Sequence, residues 1–172
     1  PRSLPMNEPR IAAPVIVLVE QTPRTGQFLL EWHEKWRTFM FPATMPRTCQ
    51  DDDWGINATE SAGEAAVRAT AEATGVCLRV STLQRFSGKV SVTAVSGSQG
   101  SLTSYQPEVF RYRFSEDTSL QSPHPTQWLS LEDVADANIG PISNVAREIA
   151  RNLLSQAFQS GASPDDLWEP VQ

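Results

Sequence analysis

The sequence is poor in lysine, cysteine and histidine, and no long hydrophobic run interrupts it. Of its 14 basic residues only Lys35 and Lys89 are lysine. Cys49 and Cys77 are too few for a disulfide framework and lack metal-site spacing, so each reads as a reduced thiol. His33 and His124 are the only histidines. No Gly-x-Ser-x-Gly elbow accompanies them, which leaves serine-nucleophile chemistry without support. No phosphate-cradling P-loop and no dinucleotide glycine fingerprint is present. No stretch approaches the roughly 18 apolar residues of a membrane span. No charged-then-apolar leader opens the sequence, and Met6 is a candidate natural start. The balance of 14 Lys+Arg against 20 Asp+Glu gives a formal charge of −6. That argues against nucleic-acid and anionic-membrane partners, which require a basic footprint. A soluble, cytoplasmic protein is the expectation.

What is present is one domain's worth of chain. The 172 residues are 40% hydrophobic and 20% charged, enough for a sizeable core. A domain of this size buries roughly 68–70% of the surface its unfolded chain exposes. The 12 arginines stand out against two lysines. Arginine is favoured where a planar fork must hold a carboxylate or phosphate, although genome composition produces the same bias.

Residues 1–11 hold three prolines and no periodicity, and they read as a flexible N-terminal arm. Val15 to Val19 is a continuous aliphatic run, the pattern of a strand buried on both faces. Pro23 and Gly26 mark a turn. Gln27 to Glu31 and Trp36 to Phe41 read as the next two strands. Ala43 to Asn57 contains Pro46, Gly55 and the consecutive aspartates Asp51, Asp52 and Asp53. It has no usable period and reads as a long loop of the functional or mobile kind.

The spacing predicts a helix over 60–74. Ala62, Ala65, Ala66, Ala69 and Ala73 make its apolar stripe. Thr59 or Ser61 can cap it, and Gly75 stops it. Val76 to Val80, Leu83 to Val95 and Glu108 to Phe114 have β-like character, with a Ser/Gly-rich hairpin tip over 96–106. Pro141 is positioned to open a last helix whose core stripe is Ile142, Val145, Ile149, Leu153 and Ala157. A polar tail over 159–172 still carries Leu167 and Trp168. The pattern alone gives a mixed α/β chain with five or six strands and two clear helices.

One segment is more than generic. Glu60, then Arg68 after seven intervening residues, then Glu72, Gly75 and Val76 resembles the Nudix box, G-x5-E-x7-R-E-U-x-E-E-x-G-U with U aliphatic. Phe41-Pro42 resembles the strand end that enters the family's Pro-Gly-Gly turn. Trp128-Leu129-Ser130-Leu131-Glu132-Asp133 resembles its late tryptophan-containing segment. The resemblance covers residues 12–158. It implies a Nudix-like α/β/α sandwich, with a mixed, curved β-sheet between the box helix and a C-terminal helix.

The departures from the pattern bear on activity. The family's helix presents three carboxylates at i, i+3 and i+4, on one face. They bind Mg²⁺ or Mn²⁺, which offset diphosphate charge and activate water. Here those positions are Ala69, Glu72 and Ala73, and alanine offers no lone pair. After Pro42 come Ala43 and Thr44 in place of two glycines, and the box's leading glycine falls on Trp54. What remains is a frame in which Glu60 can fold back over the helix start to pair with Arg68, with Glu64–Arg68 as the alternative.

Three readings follow. In the first the domain binds or regulates without hydrolysing, takes a small nucleotide-like phosphorylated ligand and needs no cofactor. Arg37, Arg47, Arg85 and Arg111 are candidate phosphate contacts, and Trp36 and Trp32 candidate stacking rings. In the second the chain is a divergent Mg²⁺- or Mn²⁺-dependent hydrolase of a nucleoside diphosphate derivative. Glu72 is then a catalytic metal ligand, joined by Asp51, Asp52 and Asp53, with Glu108 or Glu116 as further donors. In the third the surface docks a protein partner. Nudix-like domains often pair, so the resemblance also implies a homodimer.

Overall fold

The structure, a computed structural model, describes residues 10–51, 56–95, 102–161 and 164–171. The described strands are β1 (Arg10–Ala12), β2 (Val15–Gln21), β3 (Gln27–His33), β4 (Thr38–Met40), β5 (Ala43–Thr44), β6 (Thr48–Asp51) and β7 (Ile56–Thr59). Helix α1 (Ala62–Thr74) follows, then β8 (Gln84–Phe86), β9 (Val92–Val95), β10 (Leu102–Tyr105), β11 (Glu108–Phe114) and β12 (Thr126–Ser130). Helices α2 (Leu131–Ala135) and α3 (Asn144–Ser160) and a last strand β13 (Trp168–Pro170) complete the chain.

The central sheet has the order β13-β8-β11-β2-β5. It is mixed, because β2 and β11 run parallel while the other pairings are antiparallel. Strand β2 explains the layering. Its inner residues have at most 1% of their surface exposed, and they alternate between two cores. Ile16 and Leu18 pack with Val134 of α2 and Ala146, Ile149, Ala150 and Leu153 of α3. Val15, Val17 and Val19 pack with Ala65, Ala66 and Ala69 of α1. Successive side chains of a strand point to opposite faces, so an aliphatic run fills both layers at once. The result is an α/β/α sandwich with a mixed sheet.

A second antiparallel sheet, β12-β3-β4, flanks the first. Helix α1 lies close to its neighbours because its inner face is made of small residues, including Gly63, Ala65, Ala66, Ala69 and Ala73. A Cβ at Gly63 would stand 2.7 Å from Val80 Cγ1. The buried Thr70 and Thr74 satisfy their hydroxyls inside the helix, donating to the carbonyls of Ala66 and Thr70 at 2.8 and 2.7 Å. Gly75 ends the helix at φ 76°, donating its N–H to Ala71.

Several expectations are corrected. The 43–57 segment is not a featureless loop: Ala43–Thr44 joins the central sheet beside Val15 and Ile16, and β6 pairs with β7 in a hairpin. Ladder hydrogen bonds to a partner strand override the weak local pattern there. Residues 76–79 form no strand, and 80–82 form a 3₁₀ turn. The stretch 83–95 is two strands with a bend between them. Leu102–Tyr105, expected in the hairpin tip, is β10, paired with β9 and with β1. Ser96 to Ser101 lie outside the described residues. The last helix starts at Asn144 with Ser143 as its cap, not at Pro141. The polar tail also enters the fold: Trp168, Glu169 and Pro170 pair with Phe86, Arg85 and Gln84. Of the arm, residues 1–9 lie outside the described residues, while Arg10 and Ile11 belong to β1.

Candidate functional site

Ser61 caps α1, accepting the Glu64 N–H at 3.1 Å, so Glu60 lies just outside the helix. From there its carboxylate folds back over the first turn to Arg68. Arg68 Nη2 donates to Glu60 Oε1 at 2.8 Å and Nε to Oε2 at 3.1 Å, a two-pronged pair. Both side chains are 17% exposed. The hydrogen bonds from Arg68, aided by the Arg47 N–H and both guanidinium charges, lower the Glu60 pKa to about 2. The same pair raises that of Arg68. The Glu64–Arg68 alternative is not used, since Glu64 turns to Ser61 instead.

Arg68 also ties the helix to the segment before it. Its Nη1 donates to Thr44 Oγ1 and its Nη2 to the Met45 carbonyl, each at 2.9 Å. The departure from the Pro-Gly-Gly turn thus has a local use: Thr44 supplies a hydroxyl where glycine supplies nothing. Arg47 closes the frame through its main chain, accepting the Glu60 N–H at 2.7 Å and donating its own N–H to Glu60 Oε1 at 3.1 Å.

The three metal-ligand positions of the box are occupied differently. Ala69 is 3% exposed and belongs to the core shared with Val15 and Val17. Ala73 has no exposed surface. Glu72 projects outward with 57% of its side chain exposed, between Arg68 Nη1 at 3.5 Å and Arg47 Nη2 at 3.8 Å. A lone carboxylate flanked by two guanidiniums and two methyl groups is a poor donor set for Mg²⁺ or Mn²⁺, which require several oxygens. Among the described residues no group of three or more His, Cys, Asp or Glu is placed to hold a metal ion. The box helix therefore does not fit the metals that the Nudix resemblance implies. Asp51 closes β6, and Asp52, Asp53, Trp54 and Gly55 lie outside the described residues.

A cavity of about 370 Å³ opens against Ala73 near the end of α1, lined also by Leu29, Ser122, His124, Thr126 and Trp128 among others. Glu31 of β3 stands opposite Thr126, a lining residue, in the strand register. Ser122 Oγ donates to Glu31 Oε1 at 3.4 Å. Burial raises the Glu31 pKa, opposed by the nearby His124 and the Ser122 hydrogen bond and reinforced by the charge of Glu72. His33, two residues along the strand, has its pKa lowered by burial and by His124. Its ring lies 5.3 Å from that of Trp36. Glu31 does not stand out in the sequence as a site residue. The available signal was a carboxylate directly after the apolar run Phe28-Leu29-Leu30.

The remaining candidates are dispersed. Trp36, 53% exposed, and Arg37, at φ 51°, form the tip between β3 and β4, where Arg37 pairs with Glu34 at 3.5 Å. Trp32 packs edge-on against Phe39 at 5.1 Å. Arg85 lies 3.9 Å from Glu108 and lines a separate cavity of about 350 Å³. Arg111 donates to Gln84 Oε1 at 2.6 Å and stacks over Trp168 at 4.9 Å. Glu116 is exposed in the turn after β11.

No protein-family model matches the sequence, and no curated protein matches it. Solved structures do resemble it in fold. The MutT protein from Methanosarcina mazei Go1 superposes with a TM-score of 0.57 at 19% identity, covering 87% of this chain and 96% of that one. The E. coli dihydroneopterin triphosphate pyrophosphohydrolase gives 0.54 at 11% identity, over 88% and 99%. The Nudix domain of Shewanella oneidensis NrtR, solved with ADP ribose, gives 0.52 at 15% identity, over 91% and 90%. The chain has a Nudix-like fold. Within it Glu60 pairs with Arg68, and the positions that the resemblance equates with metal ligands hold Ala69, Glu72 and Ala73. Among the described residues no helix is long and apolar enough to cross a membrane.

Proposed function

We propose that the chain is a non-hydrolysing Nudix-like domain that binds a nucleotide-like phosphorylated ligand without Mg²⁺ or Mn²⁺. The observation that carries this reading is the setting of Glu72: its box neighbours are Ala69 and Ala73, and its carboxylate stands between Arg47 and Arg68. Arginine can neutralise a phosphate directly through paired N–H donors, so the charge that a metal offsets elsewhere is met here by the chain itself. Arg68 is engaged by Glu60, Thr44 and Met45, whereas Arg47 keeps 65% of its side chain exposed. Arg47 is therefore the phosphate contact in this reading. The ADP-ribose complex of the NrtR Nudix domain supports the ligand class, since that domain has the same fold.

The test is a pair of measurements on the purified protein. Nucleoside diphosphates and their derivatives are titrated in EDTA, then incubated with Mg²⁺ or Mn²⁺. Binding in EDTA without turnover is expected, and Arg47→Ala weakens it. The competing reading is a divergent hydrolase that draws on Asp51, Asp52 and Asp53. Hydrolysis at an enzyme-like rate that Glu72→Ala abolishes would establish it in place of this one.

A further inference from the structure

The sheet β12-β3-β4 has one covered margin and one open margin. On β4, Phe39 donates its N–H to the Pro141 carbonyl and accepts the Ser143 N–H, each at 2.9 Å. Strand β12 forms the other margin. Trp32 donates to the Pro125 carbonyl at 2.9 Å, which sets the phase of the ladder. Hydrogen-bonded and non-hydrogen-bonded pairs alternate between antiparallel strands. In this register Gln127 and Leu129 exchange hydrogen bonds with Leu30 and Phe28 of β3. The main-chain groups of Thr126 and Trp128 therefore point away from the sheet, as does the N–H of Ser130. Among the described residues no hydrogen bond reaches them.

This margin carries none of the devices that blunt an exposed edge. Thr126–Ser130 holds no charged residue and no proline. Thr126 is exposed, and the next four residues are half-buried. Thr126 and Trp128 line the cavity of about 370 Å³, whose wall also holds Leu29, Leu120 and the polar Ser122 and His124. Residues that face each other across paired strands put their side chains on one face. A strand added here would hang the side chain opposite Thr126 over that space. Arg24, exposed in the turn between β2 and β3, holds its guanidinium 5.3 Å from the Trp128 ring centre. No carboxylate of the described residues pairs with it. Glu132 and Asp133 begin α2 beyond Ser130, so the arginine charge governs the position facing Trp128 and not the one past it.

We infer that β12 is a docking edge for an extended segment of a partner protein, which adds to the sheet antiparallel to β12. That segment carries a carboxylate facing Trp128, where it meets Arg24, and a bulky apolar side chain facing Thr126, over the cavity. Main-chain pairing supplies affinity, and the alternate side chains supply selectivity. The complementary charge on Arg24 fixes the register. The edge does not involve Arg47, so this docking is independent of phosphate binding.

The probe is the peptide acetyl-Thr-Thr-Asp-Thr-Leu-Thr-amide, titrated to millimolar concentration and followed by ¹H–¹⁵N NMR. The amide signals of Thr126, Trp128 and Ser130 are expected to shift and saturate. N-methylation of the Asp and Leu removes the N–H groups that face β12, and it is expected to abolish binding. N-methylation of the two Thr beside Leu touches only the outer side and is expected to leave affinity within about threefold. Arg24→Glu, on the surface, is expected to weaken the peptide about tenfold. Thr126→Pro deletes an outward N–H without breaking the ladder to β3 and is expected to weaken it about fivefold. Unshifted signals at the three amides overturn the proposal. So does equal binding of the two N-methylated peptides, or a peptide affinity unchanged in Arg24→Glu. Sedimentation of the protein alone tests the other occupant: a dimer that Thr126→Pro dissolves assigns the edge to a second copy of this chain and overturns the partner segment.

Discussion

Arg68 and Glu60 face each other across the start of the box helix, Nη2 to Oε1 at 2.8 Å and Nε to Oε2 at 3.1 Å. The pair does not line the cavity. It fixes the junction of β7, α1 and the Thr44–Arg47 segment, and therefore where Arg47 and Glu72 stand. The pair thereby sets the positions of one arginine and one carboxylate.

Acid lability follows from that pair. The Glu60 pKa is lowered from 4.5 to about 2 in the folded protein. A carboxyl depressed on folding contributes stability that is complete above its unfolded pKa and is lost as pH falls through the folded one. Urea unfolding midpoints are expected to drop between about pH 4.5 and pH 2. Glu60→Gln should be less stable than wild type at pH 7 and should lose less on acidification. Parallel pH profiles for the two proteins would rule out Glu60 as the source.

Restoring the carboxylates one at a time separates the two alanines. Ala69 is part of the core against β2, so Ala69→Glu combines overpacking with a buried charge. A loss of at least about 3 kcal/mol in urea unfolding, or failure to fold, is expected. Ala73→Glu enters the cavity and is expected to lose less than half of that. Ala69→Glu at wild-type stability would mean that position 69 faces the cleft.

Thr44 offers a cleaner probe of the frame. Thr44→Val keeps a β-branched residue in β5 but removes the acceptor for Arg68 Nη1, and a loss of about 1–2 kcal/mol is expected. Thr44→Ser keeps the oxygen and should stay within about 0.5 kcal/mol of wild type. Indistinguishable unfolding midpoints for Thr44→Val and wild type would remove the hydroxyl from the account.

The end of the chain makes a separate prediction. Trp168 packs its ring 5.3 Å from Phe86 and under Arg111 at 4.9 Å. Trp168→Ala is expected to lower stability by about 2–3 kcal/mol, less than for a fully buried tryptophan because the side chain is half-buried. A thermal melt unchanged by the substitution would show that β13 is not needed.

Legibility in the sequence tracked how far each element depends on distant partners. Strand β2 could be read because its aliphatic run serves two cores from one stretch of chain. Helix α1 could be read because its caps and its alanine stripe are local. The Val76–Val80 stretch alternates like a strand yet pairs with nothing in register, and its apolar side chains pack beneath the helix instead. Strands β5 and β13, two and three residues long, exist only through their pairing with β2 and β8. The site divides in the same way. Glu60 and Arg68 are eight positions apart across the start of one helix and could be paired on paper. Thr44 reaching Arg68, and Ser122 reaching Glu31 across 91 positions, depend on a register that no local pattern carries.

The placement of β13 has a consequence for how the molecule meets others. The central sheet would otherwise end on β8, whose main-chain groups would be open to a strand from another molecule. The chain covers that margin with its own C-terminal segment, and the new margin is three residues long, with a charge at Glu169 and a residue without an N–H at Pro170. So short and donor-poor a border discourages further strand addition. Shortening the chain at this end would therefore trade a self-sealed sheet for an adhesive one, with clumping as the visible result.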